Sequence, residues 1–489
     1  MRAIKAPVRL IGRNRKQISR NRSLLCGTAV RGYIVKDCQT LADTINNRLQ
    51  KQGGIVKGIQ LCAGALLIVY SGLCAYGQKD PLAKGADLLH DASDNKLSVH
   101  VEERTRWEEK YGVNFGKAVN QQDMLSRVRI GMSYNPTPWL TLSGMGQDAR
   151  APFYGVPAPS SLRDSMDLQE AWIGLGEKSN PFNFSFGRRM INYGETRVIG
   201  VPQWSNTSRT YDYGRMEFAN KKMTLDALMV SPVIILTDSF NKPELGNRYW
   251  GTYDIFPKLW RGLSIDTYAL RHSENVIGGW TSAGTLGTNN YGARFYGSLP
   301  AHFGYSLEGI AQNGHMGVEN QRAFAWYSAA TRTSHVFTLP LNTLVEYKGA
   351  SGSHYGENHS STFDQLTPAN HDKFGHMDLF GWRNLKTFKN LETLNLTKAL
   401  AFNVMYTNED LFSASDALYN SSGSKYSIST KGTAGTHVGQ ELDSFATFNI
   451  GHHTILAGFG HFFKGQFVEQ TTPGINPRYF YIAQEYTIK

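Results

Sequence analysis

A transmembrane antiparallel β-barrel is the fold class that this sequence predicts, on three observations. Apolar and polar residues alternate with period two in segments of about ten residues. Short turns alternate with long polar loops, and aromatic residues gather near segment ends. One alternating segment, Tyr479–Lys489, ends the chain, as suits a spanning sheet that can leave no edge open to lipid. A soluble β-sandwich would also alternate, but with loops of more even length and less Gly and Tyr.

The C-terminal segments carry the pattern most clearly. In residues 442–450, Leu442, Ala446, Phe448 and Ile450 share one face, with Asp443, Thr447 and Asn449 on the other. Gly451-His452-His453 turns the chain into Thr454–Phe463, and a polar loop with Pro473 and Pro477 follows. In the last segment Phe480, Ile482, Tyr486 and Ile488 alternate with Tyr481, Ala483, Glu485 and Thr487.

Composition agrees. The 489 residues include 49 Gly and are 12% aromatic, and the mean hydropathy of −0.37 is too polar for a helical membrane protein. A barrel tolerates it because only alternate residues face lipid. The formal charge of +11 invites a nucleic-acid partner until the charge is located. Residues 1–57 hold 13 of the 51 Lys and Arg and 2 of the 40 acids, which leaves 38 of each sign in the remainder. No nucleic-acid partner is therefore expected. Cys26, Cys38, Cys62 and Cys74 are the four cysteines. The chain beyond them has no thiol chemistry or disulfide, which fits passage through an oxidising compartment.

Residues 58–77, GIQLCAGALLIVYSGLCAYG, form an uncharged apolar run after Lys57. Ala75 and Gly77 supply the small residues of a secretory cleavage site, so this run reads as a signal peptide cut before Gln78. Leu73 stands where a lipoprotein would need a small residue ahead of Cys74. The basic extension 1–57 has no adjacent Arg pair; a misassigned start explains it simply, with Val56 as first residue, and a genuine extension is the alternative. Residues 78–95 are polar and read as a periplasmic tail, and 96–489 as the barrel.

The first strand is predicted over Lys96–Glu108, with Leu97, Val99, Val101, Thr105 and Trp107 facing lipid. Glu103 interrupts that face. Met124–Asn135 follows, with Val128, Ile130, Met132 and Tyr134 outward and Arg127 and Arg129 inward. Asn135-Pro136-Thr137-Pro138 is a tight turn into Trp139–Gln147. Phe182, Phe184 and Phe186 mark another strand, as do Leu263–Ala269, Tyr291–Leu299, Tyr305–Gln312, Thr343–Lys348 and Leu400–Met405. The count is 16–18 strands. With long loops outside the cell and short turns in the periplasm, both termini are periplasmic.

Several stretches resemble the alginate-export family of outer-membrane porins. They are Gly187–Phe218 (GRRMINYGETRVIGVPQWSNTSRTYDYGRMEF), Tyr305–Gly314 (YSLEGIAQNG) and Thr362–Asn384 (TFDQLTPANHDKFGHMDLFGWRN). Near the end come Glu441-Leu442-Asp443, Gly458–Gly465 (GFGHFFKG) and Tyr481-Ile482. The resemblance extends over roughly residues 96–489 and implies an eighteen-stranded barrel whose constriction arginines attract the carboxylates of a uronate polymer.

Inward charges are the candidate pore-lining residues. Arg104, Arg106, Arg127 and Arg129 meet across the first hairpin, with Arg215 and Arg294 on later strands. Glu102, Glu108, Glu217, Glu308, Glu441 and Asp443 are their candidate partners. A guanidinium stays charged and grips carboxylates with a two-pronged geometry; paired to acids, the same residues would only tie the wall together. Loop 352–378 carries His354, Glu357, His359, Asp364, His371, Asp372, His376 and Asp378 without metal-site spacing. It is expected to narrow the pore, and no metal or cofactor is expected.

No Gly-x-Ser-x-Gly turn or phosphate loop occurs, so an outer-membrane hydrolase is only an alternative reading. The leading expectation is a porin in outer-membrane lipid that passes an anionic saccharide or other anionic solute through an Arg-lined lumen. Transport would be downhill or driven by periplasmic export partners. A general or small-anion diffusion porin is the alternative.

Overall fold

The computed structural model describes residues 80–154, 158–177, 180–275 and 284–488. The basic extension and the apolar run 58–77 lie outside the described residues. Residues 80–95, expected as a tail, contain helix α1 (Pro81–Ala92). Asp80 caps it by accepting the amides of Leu82 and Ala83 at 3.1 Å, with Pro81 in the first turn. The Tyr486 hydroxyl donates to Asp80 at 2.7 Å and fastens the helix start to the last strand.

Strands follow in chain order. β1 is Leu97–Tyr111, β2 Gln121–Thr137, β3 Leu140–Arg150, β4 Asp164–Leu175, β5 Phe182–Arg189, β6 Tyr211–Ala219 and β7 Thr224–Ile234. Next come β8 (Lys242–Pro243), β9 (Asn247–Trp260), β10 (Leu263–Glu274), β11 (Leu286–Leu299), β12 (Phe303–Met316), β13 (Glu319–Val336) and β14 (Leu339–Ala350). The rest are β15 (Leu385–Asn395), β16 (Leu400–Leu411), β17 (Ala417–Tyr419), β18 (Lys425–Ile428), β19 (His437–Ile450), β20 (His453–Lys464) and β21 (Arg478–Ile488). Helix α2, Gln466–Thr471, lies in the loop before β21.

Eighteen of these strands form one closed antiparallel barrel. Each wall strand pairs with its sequence neighbour, and β1 also pairs with β21 to close the ring. The two-residue β8 hangs on β7, and β17 and β18 pair only with each other.

Side-chain alternation places lipid and lumen on opposite faces. Ile130, Met132, Phe182, Phe184, Phe186, Phe402, Leu442 and Phe480 are exposed on the outside, where a bilayer would cover them. Glu103 faces outward beside Val128 and accepts the Thr105 hydroxyl at 2.6 Å, which satisfies part of its carboxylate. Turns at one end are short, while loops at the other are long except for Gly317-Val318. An even number of wall strands brings the start of β1 and the end of β21 to the short-turn end.

The barrel is partly filled. Loop A, residues 190–210, and loop B, residues 351–384, supply Val198, Ile199, Val201, Phe363, Phe374, Phe380 and Trp382 to a buried cluster. It packs against inward Tyr211, Tyr249, Tyr253, Tyr268, Tyr327 and Phe462. Ile199 and Thr367 form a parallel bridge between the loops. Such loops need partners for their backbone groups inside the lumen, and the wall charges provide them.

Candidate functional site

The first hairpin brings the four predicted arginines together, each 1–3% exposed. Arg104 donates to the carbonyls of Gln203, Trp204 and Ser205 at 2.8, 3.1 and 3.0 Å. Arg106 reaches the Trp204 carbonyl at 2.6 Å, and Arg127 those of Gln203 and Ser205 at 3.1 and 2.8 Å. Arg129 donates to the side-chain oxygens of Gln147 and Gln203 at 2.8 and 3.1 Å. Glu102 accepts Arg127 at 2.7 Å and Arg129 at 3.4 Å, and Glu108 pairs with Arg106 at 3.0 Å and Lys110 at 2.8 Å. The arginines thus form a cradle beneath the tip of loop A. Five donors on a rigid fork let one guanidinium hold two or three carbonyls.

The remaining predicted residues are dispersed. Arg215 pairs with Glu217 and, at 2.8 Å, with Asp226, whose carboxylate also accepts the Tyr193 hydroxyl at 3.0 Å. Arg294 spans Asp266 and Glu195, both at 3.1 Å. Glu308 accepts the Tyr268 hydroxyl at 2.7 Å. Glu441 and Asp443 accept the amides of Met377 and His376 at 2.9 and 3.4 Å, so they hold loop B rather than an arginine. Gly375, at φ +102°, makes this fit possible: a Cβ there would collide with the Glu441 carboxylate.

Loop B has its own wall cations. Lys389 donates to the Asp372 carbonyl at 2.6 Å, and Lys348 to the Lys373 carbonyl and, at 2.8 Å, to Glu346. Asp364 lies between His272 Nδ1 at 2.6 Å and Arg383 at 3.2 Å. Burial pushes the Asp364 carboxyl up, but the neighbouring His272 and Arg383 more than reverse this and hold it below its ordinary value. Burial also holds the His376 ring well below its ordinary value. The two loops meet in a stacked column. Arg106 sits 4.1 Å from the Trp204 ring, Trp204 stacks on His371 at 4.6 Å, and His371 on His376 at 5.0 Å.

Two of the cavities among the described residues border loop B. One of about 430 Å³ opens among the long loops and is bordered by Met377, Asp378 and Leu379 of loop B. The other, about 710 Å³, lies toward the short-turn end and is lined by Arg197, Lys373, Lys389, Glu195, Glu346 and Asp372, with Tyr296, Tyr305 and Tyr327. Arg197 is held over the Tyr327 ring at 3.5 Å. Among the described residues, no group of three or more His, Asp or Glu is arranged to hold a metal ion.

Arg197, Lys348, Lys373 and Lys389 were not predicted. Arg197 and Lys373 lie within the motifs Gly187–Phe218 and Thr362–Asn384, but loop residues carry no periodicity from which a direction can be read. Lys348 ends a predicted strand, where its parity was legible.

Comparison with known proteins accords with this architecture. No curated protein sequence matches the chain. Among solved structures, Pseudomonas aeruginosa OpdK with vanillate is similar at TM-score 0.56 and 8% identity, over 81% of this chain and 99% of its own. Pseudomonas aeruginosa OccD3 (OpdP) gives 0.56 and 12%, over 80% and 91%. Acinetobacter baumannii OccAB4 gives 0.55 and 10%, over 80% and 98%. At such identities the likeness concerns the fold. The family model for alginate export matches residues 108–481, most of the chain, and the chain therefore belongs to the alginate export family, as a β-barrel channel of the cell outer membrane.

Proposed function

We propose that this channel passes anionic saccharides of the uronate class, with its long loops outside the cell and both termini in the periplasm. The observation that carries the reading is the inner cavity with Arg197, Lys373 and Lys389 on its lining. Lys348 stands behind them, giving four cations against the carboxylates of Glu195, Glu346 and Asp372. Arg294, behind Glu195, is balanced by Asp266. A narrow charged passage sets ion selectivity, and tyrosines there offer hydroxyls and ring faces to sugar.

The arginine lining expected from sequence is accordingly reassigned. Lys373, the most exposed of these cations, meets solute with Arg197 and Lys389 at the cavity edge, while Arg104, Arg106, Arg127 and Arg129 shape the passage by holding loop A. Flux would follow the gradient or be driven by periplasmic partners.

Planar-bilayer recording tests this. Oligouronates should block ionic current at concentrations where neutral oligosaccharides of equal length do not, and Lys373→Gln with Lys389→Gln should weaken the block. Equal block by both sugars would return the assignment to an unspecified porin. A second reading, uptake of small carboxylates, is favoured by the near balance of charge in the cavity and by the vanillate in the OpdK structure; current block by vanillate but not by oligouronates would select it. For orientation, a cysteine in the 465–477 loop should react with an impermeant thiol reagent on intact cells, and one at Gly451 should not.

A further inference from the structure

The cavity at the long-loop end is separate from the passage just described, and nothing in the transport reading requires it to be charged. Its lining nevertheless includes Lys110, Lys425 and Arg478, and its single carboxylate is Asp378. Asp378 is already engaged by His371 Nδ1 at 2.9 Å. Lys110 projects inward from β1 and touches Glu108 at 2.8 Å, but Glu108 also receives Arg106 at 3.0 Å and the Tyr479 hydroxyl at 2.9 Å. An ammonium carries three donors, so Lys110 keeps capacity for a further acceptor. Lys425 is exposed, whereas Arg478 touches only the rim, because its side chain shares the outward parity of Phe480.

Aromatic rings flank these cations. Lys110 lies 5.8 Å from the Tyr479 ring, and Tyr426 is backed by Phe115 at 5.4 Å, which fixes its orientation. Cations beside firmly placed rings suit a hexose that carries a carboxylate: charge answers the carboxylate, and an aromatic face answers the C–H face of the ring. The volume of about 430 Å³ falls within the range of about 300–1,000 Å³ for small-molecule sites.

We propose that this mouth cavity, with Lys110 and Lys425 at its walls, is a docking subsite for a uronate residue of the polymer. It rests on the anionic-saccharide reading. The position suits the task, because the 372–379 segment borders both cavities: Met377, Asp378 and Leu379 face the mouth, and Asp372 and Lys373 the inner passage. A residue held at the mouth keeps the chain in line with that segment.

The test is bilayer block by a mannuronate hexamer added from the long-loop side. Lys425→Gln with Lys110→Gln should weaken that block roughly tenfold, the scale of one lost charge-assisted hydrogen bond. Conductance in plain potassium chloride and block from the short-turn side should not change, and Lys425→Arg should retain the block. Heat-modifiable gel mobility checks that the barrel is folded; should the double variant fail to insert, Lys425→Gln alone is read the same way, with a smaller loss expected. Unchanged block from the long-loop side overturns the subsite, while persistent block from the other side leaves the channel reading intact. Absence of block from either side in the unsubstituted protein overturns that reading instead. Competition by inorganic phosphate as strong as by monomeric glucuronate, at equal ionic strength, would show a site for charge alone and remove the sugar from the proposal.

Discussion

Two groups of lumen cations hold two inward loops, and they do so differently. Under loop A, arginines on β1 and β2 each grip several oxygen atoms and are sealed from solvent. Under loop B, Lys348 and Lys389 each grip one carbonyl and pair with Glu346; Lys348 is as sealed as the arginines, and Lys389, 4% exposed, borders the open cavity. A forked, planar cation used up on a backbone is structural, whereas a point charge with donors to spare can hold a loop and meet a solute. Inward direction alone does not make a cation solute-facing; what lies above it decides.

The largest expected effect breaks the loop A side. Arg104→Gln with Arg127→Gln should release residues 203–206 and raise open-channel conductance about twofold or more. It should also lower the temperature of heat-modifiable unfolding, since removing one partner from a buried charge network costs about 3–5 kcal/mol. Unchanged conductance would mean that loop A is held by its packing with loop B, and the contrast would fail.

Gly375→Val should be next. The β-branched side chain meets Glu441 in a backbone region that costs about 1–3 kcal/mol for non-glycine residues. Loop B should loosen, with noisier currents but loop A intact. Proteolysis of loop A in this variant, measured on the folded barrel, would show that the two loops are not independent.

Smaller still is the selectivity effect of Lys373→Gln with Lys389→Gln. The reversal potential should move away from anions at about 0.1 M salt and much less at about 1 M, where screening is short-ranged. A larger shift from Arg106→Gln than from this pair would reverse the assignment of roles.

The smallest effect is on acidification. His376 in the folded loop resists protonation, whereas the unfolded chain binds a proton below about pH 6.5. Stability should therefore fall as pH drops below that value, by about 1.4 kcal/mol per pH unit at most. Asp364 acts in the same direction in a lower window: its contribution is full above the ordinary carboxylate range and is lost progressively as pH falls from there through its lowered value. Thermal unfolding at pH 7 and 5.5, with His376→Phe removing the difference, checks the pair.

The wall was legible because a strand declares its faces every second residue. Val128, Ile130 and Met132 were placed outward and Arg127 and Arg129 inward, and the structure agrees. Boundaries moved by a few residues: β1 runs on to Tyr111, and β20 begins at His453 rather than after it. The site was legible only in part. Parity can aim Arg104 into the lumen but cannot reveal that the Trp204 and Ser205 carbonyls, about a hundred residues away, occupy it. Loop B showed its charges in sequence, yet their pairing depends on long-range contacts such as Asp364 with His272. Helix α1 was missed because its few apolar residues remain exposed.

The position of Trp204 bears on how the cylinder is assembled. Its ring takes Arg106 from β1 on one side, its indole donates to the Tyr479 hydroxyl of β21 at 3.3 Å, and Tyr481 of β21 meets it edge-on at 4.9 Å. β1 and β21 become neighbours only when the seam zips. A half-built sheet offers the indole one wall of its pocket, and the second arrives with the final strand. Completion of the cylinder and seating of this side chain are thus one event in biogenesis, and loop A gains its full set of contacts only in a chain that has finished folding.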